Sequence, residues 1–126
     1  MKKDVLRAKI HRATVTQAEP DYEGSIGIDS VLLRAAQIEE YDRVEVYDVT
    51  SGARFATYAI EAPESSGTIS VNGAAARLVA PGDLVIVAAY GSVEVGEPRT
   101  APRLVFVDAR NRVSQLKETE LQGVSA

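Results

Sequence analysis

A chain of 126 residues, 45% of them hydrophobic and 25% charged, is the right size for one compact domain with a single core spanning residues 1–126. No apolar run approaches the ~20 residues that cross a bilayer, and no apolar block follows Lys2-Lys3, so neither a membrane segment nor a secretory signal is expected and the cytoplasm is the default location. A net charge of −4 argues against general nucleic-acid binding; the lack of cysteine removes disulfides and thiolate nucleophiles, and a single histidine rules out a multi-histidine zinc site, so no metal is expected.

In chain order, Val5 to Thr16 alternates as a strand that places Lys9 and His11 on one face. The stretch from Pro20-Asp21 through Tyr22-Glu23-Gly24-Ser25 reads as a turn. Asp29 or Ser30 then caps a short helix running to about Gln37. Arg43 to Val49 and Arg54 to Ile60 form a hairpin across Thr50-Ser51-Gly52-Ala53, with Arg54, Ala56, Tyr58 and Ile60 on one face. Pro63 to Gly67 is a loop, Thr68 to Val71 a short strand, and Asn72 to Leu78 a turn entering a short helix. After the Pro81-Gly82-Asp83 turn, the apolar run Leu84 to Tyr90 reads as a central strand buried on both sides. Gly91 to Pro102 is expected to be a loop, Arg103 to Asp108 a strand, and the residues after about Leu116 a loose polar tail. The sum is a mainly β chain, a small β-barrel with one or two short helices.

The Gly24-Ser25 step has a distinctive chemical potential. A serine hydroxyl can attack the carbonyl before it, converting the peptide to an ester; elimination then leaves dehydroalanine, which water converts to a ketone with loss of ammonia. Glycine suits the position because, lacking a Cβ, it lets the hydroxyl approach closely. The simpler reading is an ordinary turn. A hydrolase triad of Ser25, His11 and Asp29 is another, although no Gly-x-Ser-x-Gly elbow surrounds Ser25.

Four clusters stand in a fixed order: Lys9-Ile10-His11-Arg12, Tyr22-Glu23-Gly24-Ser25, Arg54-Phe55-Ala56-Thr57-Tyr58-Ala59-Ile60 and Ser70-Val71-Asn72-Gly73-Ala74-Ala75. Together they resemble the pyruvoyl-dependent aspartate decarboxylases, over about residues 5 to 90. The resemblance implies a double-psi β-barrel, a homotetramer, and autocatalytic cleavage between Gly24 and Ser25 into a β chain, 1–24, and an α chain, 25–126. It also implies a covalent pyruvoyl group made from Ser25, with no pyridoxal phosphate, that holds L-aspartate as a Schiff base and yields β-alanine and CO₂ for pantothenate and coenzyme A synthesis.

Within that family pattern, Lys9 and Arg54 are substrate-binding cations, against the plain alternative of exposed strand charges. Tyr58, a phenol protonated at neutral pH, is the proton donor, or otherwise a packed aromatic. Thr57, Gly73, Ala74 and Ala75 belong to substrate binding as well, Thr57 only if a twist or bulge brings it round, since ideal alternation points it away from Arg54 and Tyr58. His11, Tyr22 and Asn72 support the cleavage turn. Whether cleavage needs a maturation partner is left open, and an uncleaved β-barrel that only binds or regulates is the competing function.

Overall fold

The computed structural model describes residues 1–23 and 25–123. Among the described residues there are nine strands, β1 Lys2–Thr14, β2 Gln17–Glu19, β3 Ile26–Asp29, β4 Arg43–Asp48, β5 Arg54–Ala62, β6 Ile69–Asn72, β7 Leu84–Glu94, β8 Arg103–Val107 and β9 Val113–Lys117. One α-helix, α1 Ser30–Ala36, and one 3₁₀ helix, Gly73–Leu78, complete the described elements. The mainly β class with two short helices is as expected. The strands lie in the order β2-β6-β3-β5-β4-β7-β1-β8-β9.

Alternation sorts the residues of this sheet onto two faces. Ile10 pairs with Val87, Val87 with Val46 and Val46 with Phe55, a row that runs into the core. One residue along, Lys9 pairs with Ala88, Ala88 with Glu45 and Glu45 with Ala56, and this row lies on the outer face. Ile26 and Ile28 from β3, Ile69 and Val71 from β6 and Leu32 from α1 close the same core with no exposed surface. Each such side chain contributes about 1.5–3 kcal/mol by leaving water.

α1 begins where expected. The Asp29 carboxylate accepts from Val31 N–H at 2.9 Å, and also from the loop N–H groups of Ser65 at 3.0 Å and Gly67 at 2.9 Å. One side chain therefore both caps the helix and ties down the loop after β5. Gly67 is required in that loop: at φ 69°, a Cβ would sit 2.9 Å from the Arg110 carbonyl oxygen.

The structure also corrects several expectations. β1 begins at Lys2, and a register shift between Ile10 and Ala13, with Arg12 at φ 61°, bends it and ends it at Thr14 rather than Thr16. β7 continues to Glu94 because β1 offers partners as far as Lys2, so Gly91 to Glu94 is strand rather than loop. β7 is interior to the sheet as expected, but it is buried mainly on one side: Val85 and Val87 are fully buried while Tyr90 is 44% exposed. β2, β3 and β9 were not anticipated, and β9 takes the residues around Leu116 into a ladder with β8.

Candidate active site

β5 sets the first group of side chains. Its ladder with β4 runs without a shift from Tyr47 opposite Arg54 to Arg43 opposite Tyr58, which keeps Arg54, Ala56 and Tyr58 on the outer face. Because no bulge interrupts it, Thr57 stays on the other face opposite the core residue Val44, and its hydroxyl is not turned towards Arg54. The Arg54 guanidinium lies 4.2 Å over the Tyr47 ring, a cation–π contact. The Tyr47 hydroxyl meets the Tyr90 hydroxyl at 2.7 Å, and this bond, aided by burial, pushes the Tyr90 phenol up to about 12. Tyr58 packs 6.0 Å from the Tyr41 ring and remains 41% exposed.

Ser25 is the buried member of this group, 5% exposed. Its hydroxyl donates to the Tyr58 carbonyl oxygen and accepts from Tyr58 N–H at 3.3 Å, while its own carbonyl accepts from Asn72 N–H at 2.7 Å. β3 pairs parallel with β5 from Ile26 opposite Ala59 and antiparallel with β6 from Ile26 opposite Val71, so Ser25 enters the sheet between the two strands that hold it. The Asn72 side chain is turned inward, accepting from the Ser70 hydroxyl at 2.8 Å, and does not cap the 3₁₀ helix formed by Gly73, Ala74 and Ala75. Tyr22, 55% exposed, lies in the turn before Ser25, and its N–H donates to the Glu19 carbonyl at 3.2 Å. Gly24, the other half of the expected scissile bond, lies outside the described residues.

Lys9 and His11 form a second group, apart from the first. Between β1 and β5 lie β7 and β4, three strand steps or roughly 14 Å along the sheet. Lys9 is only 8% exposed and pairs with the Glu120 carboxylate. His11 packs 4.9 Å from the Phe106 ring, and neither ring nitrogen has a hydrogen-bond partner among the described residues. Burial, together with the positive charges of Lys9, Arg12 and Lys117, depresses the His11 pKa against a smaller opposing pull from Glu120. The triad reading fails on this geometry: Asp29 is committed to three backbone N–H groups, and His11 bonds to neither Asp29 nor Ser25.

Sequence reasoning missed Tyr47, Tyr90 and Glu120. The two tyrosines fall at alternating positions in strands that were recognised, but reading Leu84 to Tyr90 as buried on both faces hid the outward row. Glu120 left no local signal, being 111 residues from Lys9. Among the described residues, no three His, Cys, Asp or Glu side chains gather as a metal site, and no helix is long and apolar enough to cross a membrane.

A buried serine in a turn, clamped by the backbone of a strand that presents an arginine and a tyrosine, is a site built around one serine oxygen. The family described as Aspartate decarboxylase matches residues 1–114, further towards the C-terminus than the motifs alone reach, and the chain belongs to that family. Aspartate 1-decarboxylase of Xanthomonas oryzae pv. oryzae (strain MAFF 311018) is 58% identical over 111 residues, covering 87% of this chain and 88% of the relative. The proteins of the same name from Methylobacillus flagellatus and Moorella thermoacetica are 50% identical over 119 residues and 51% over 120, each covering 94% of both chains. Among solved structures, the chain is similar to the computationally designed msDPBB_sym2 protein, with a TM-score of 0.41 and 20% identity over 68% of this chain and 96% of that one.

Proposed function

We propose that this chain is an aspartate 1-decarboxylase, converting L-aspartate to β-alanine and CO₂ in the cytoplasm for pantothenate synthesis. The observation that carries the reading is the clamped, buried Ser25 hydroxyl in a member of this family. In the maturation step the hydroxyl attacks the Gly24 carbonyl. Holding the Ser25 carbonyl on Asn72 N–H and the hydroxyl on the Tyr58 backbone fixes the rotamer about the attacking oxygen.

The residues suit a pyruvoyl group at position 25. A pyruvoyl group made from Ser25 would keep the Ser25 carbonyl, which Asn72 N–H already holds at 2.7 Å, while the serine oxygen leaves on the Gly24 carboxylate and Cβ becomes the methyl. Such a group supplies a covalent anchor for the substrate amine and an electron-withdrawing carbonyl beside the bond that loses CO₂. Arg54, lying over the Tyr47 ring, offers a planar pair of donors to a substrate carboxylate. The Tyr58 hydroxyl, on the same face, donates the proton that the α-carbon needs once CO₂ has left. Gly73, Ala74 and Ala75 contribute backbone N–H groups to binding, with Thr57 assigned there by family likeness. Tyr22 and Asn72 shape the surroundings of the cleavage turn, and His11, on the strand that carries Lys9, belongs to the group brought to it by assembly.

Lys9 fits this scheme through assembly. Roughly 14 Å separates its strand from β5 along the sheet, so a second copy in a homotetramer is the better source of the second cation. The double-psi barrel belongs to the same reading. Denaturing intact-mass measurement with an assay for β-alanine tests it: the matured protein gives fragments 1–24 and 25–126, the larger without a free α-amine. A single mass that persists on long incubation, with or without cell extract to supply a maturation factor, and no β-alanine formed, points instead to the uncleaved binding module.

A further inference from the structure

The pairing of Lys9 with Glu120 has no part in the scheme above. Lys9 emerges from β1 onto the outer face and is almost wholly covered, whereas Glu120 keeps half of its side-chain surface in water. Glu120 follows the end of β9 by three residues, and β9 is fixed to β8, which is fixed in turn to β1 at Lys9 opposite Leu104. Lys117, the last residue of β9, rests its ammonium 4.6 Å over the Phe106 ring, and Phe106 packs on His11. The segment after β9 is thus anchored within reach of Lys9, and a short tether holds its carboxylate there at high effective concentration.

We propose that Glu120 is a tethered competitor for the substrate carboxylate, occupying Lys9 until a dicarboxylate displaces it, and thereby sets the apparent affinity of the site. This rests on the reading that Lys9 binds substrate. A glutamate side chain ends in the same group as the β-carboxylate of aspartate, and one ammonium with three donors cannot give both carboxylates its full set of contacts. Substrate therefore binds only the fraction of molecules in which the segment is released, and the apparent KM rises by the inverse of that fraction. The lysine is never left buried and unpaired, which would be costly.

The full-length protein and its Glu120→Gln variant, together with a chain ending at Lys117, are compared with L-aspartate as substrate. Both changes should lower KM about threefold or more and leave kcat unaltered. A second measurement needs no turnover: hydrogen exchange at the amides of residues 118–123, with and without succinate as an unreactive dicarboxylate. Succinate should speed exchange in the wild-type protein, and Lys9→Ala should do so without succinate. Unchanged exchange in both cases overturns the proposal, as does an active Glu120→Gln variant with wild-type KM. If no variant forms β-alanine, the functional reading fails, while succinate-driven release of the segment still decides for or against the contact.

Discussion

Two charged regions share the outer face of one sheet, and they hold their cations in opposite ways. Around β5, Arg54 is exposed and lies over the face of Tyr47, while Tyr58, four residues along the same strand face, is 41% exposed. Around β1, Lys9 is covered and already neutralised by Glu120, beside a histidine whose pKa burial lowers. The first region is organised by backbone, since an unbroken ladder and the clamp on Ser25 fix it. The second is organised by charge, and charge pairs rearrange when a competitor arrives. A site assembled from both receives rigid geometry from one and adjustable affinity from the other.

The largest effect expected is from Ser25→Ala, which removes the hydroxyl proposed to start cleavage. Mass measurement should show one uncut chain, and β-alanine formation should fall to background. Fragments at 24 and 25 in this variant would remove Ser25 from the mechanism. Next comes Tyr58→Phe. The contacts to Ser25 come from the Tyr58 backbone, so cleavage should proceed, while kcat falls about 10²-fold or more for want of a proton donor. Near-normal turnover in the cleaved variant would make Tyr58 a packing residue and leave the β5 region with binding alone.

Much of the β5 region was legible in the sequence because its signals are local. Asp29 before Val31 and Leu32 marks a helix start by cap and apolar spacing, and Thr50 to Ala53 marks the hairpin that fixes Arg54 opposite Tyr47. The roles of its residues came from family likeness, which alternation alone could not supply. The β1 region was hidden because what makes it a region is non-local. β9, Val113–Lys117, has little apolar pattern and exists through pairing with β8, and Glu120 meets Lys9 across 111 residues. β2 and β3, of three and four residues, are likewise too short to show a period and are held by β6 and β5.

Asn111 tests how far the second region depends on such non-local ties. It lies between β8 and β9, 2% exposed, and its side chain donates to the Thr14 and Gly67 carbonyls at 2.8 Å each and accepts from Thr14 N–H at 2.7 Å. Its φ of 60° is one that glycine tolerates, so Asn111→Gly removes the three bonds without adding strain. A loss of about 3 kcal/mol in denaturant unfolding is expected, because buried partners are left unpaired. A loss under about 1 kcal/mol would mean that the β8–β9 turn is held by its strands alone.

The smallest effect, and the one that separates the regions by pH, belongs to His11. Its folded pKa lies below the usual value of 6.5, so between the two values the unfolded chain takes up more proton than the folded one. Stability from this group is complete above about pH 6.5 and declines as pH falls through that window, with no further change below the folded pKa. His11→Phe keeps a ring against Phe106 and cannot titrate, so the slope of unfolding free energy with pH just below 6.5 should flatten in that variant. The Glu120 carboxylate is the one charge that favours protonation here, while Lys9, Arg12 and Lys117 oppose it. Glu120→Gln should therefore move the His11 transition to lower pH, read from its ring proton shifts by NMR. A His11 transition that ignores position 120 would mean that the carboxylate does not rest in the β1 region in solution. The contrast between a rigid and an exchangeable half of the site would then reduce to the covered lysine alone.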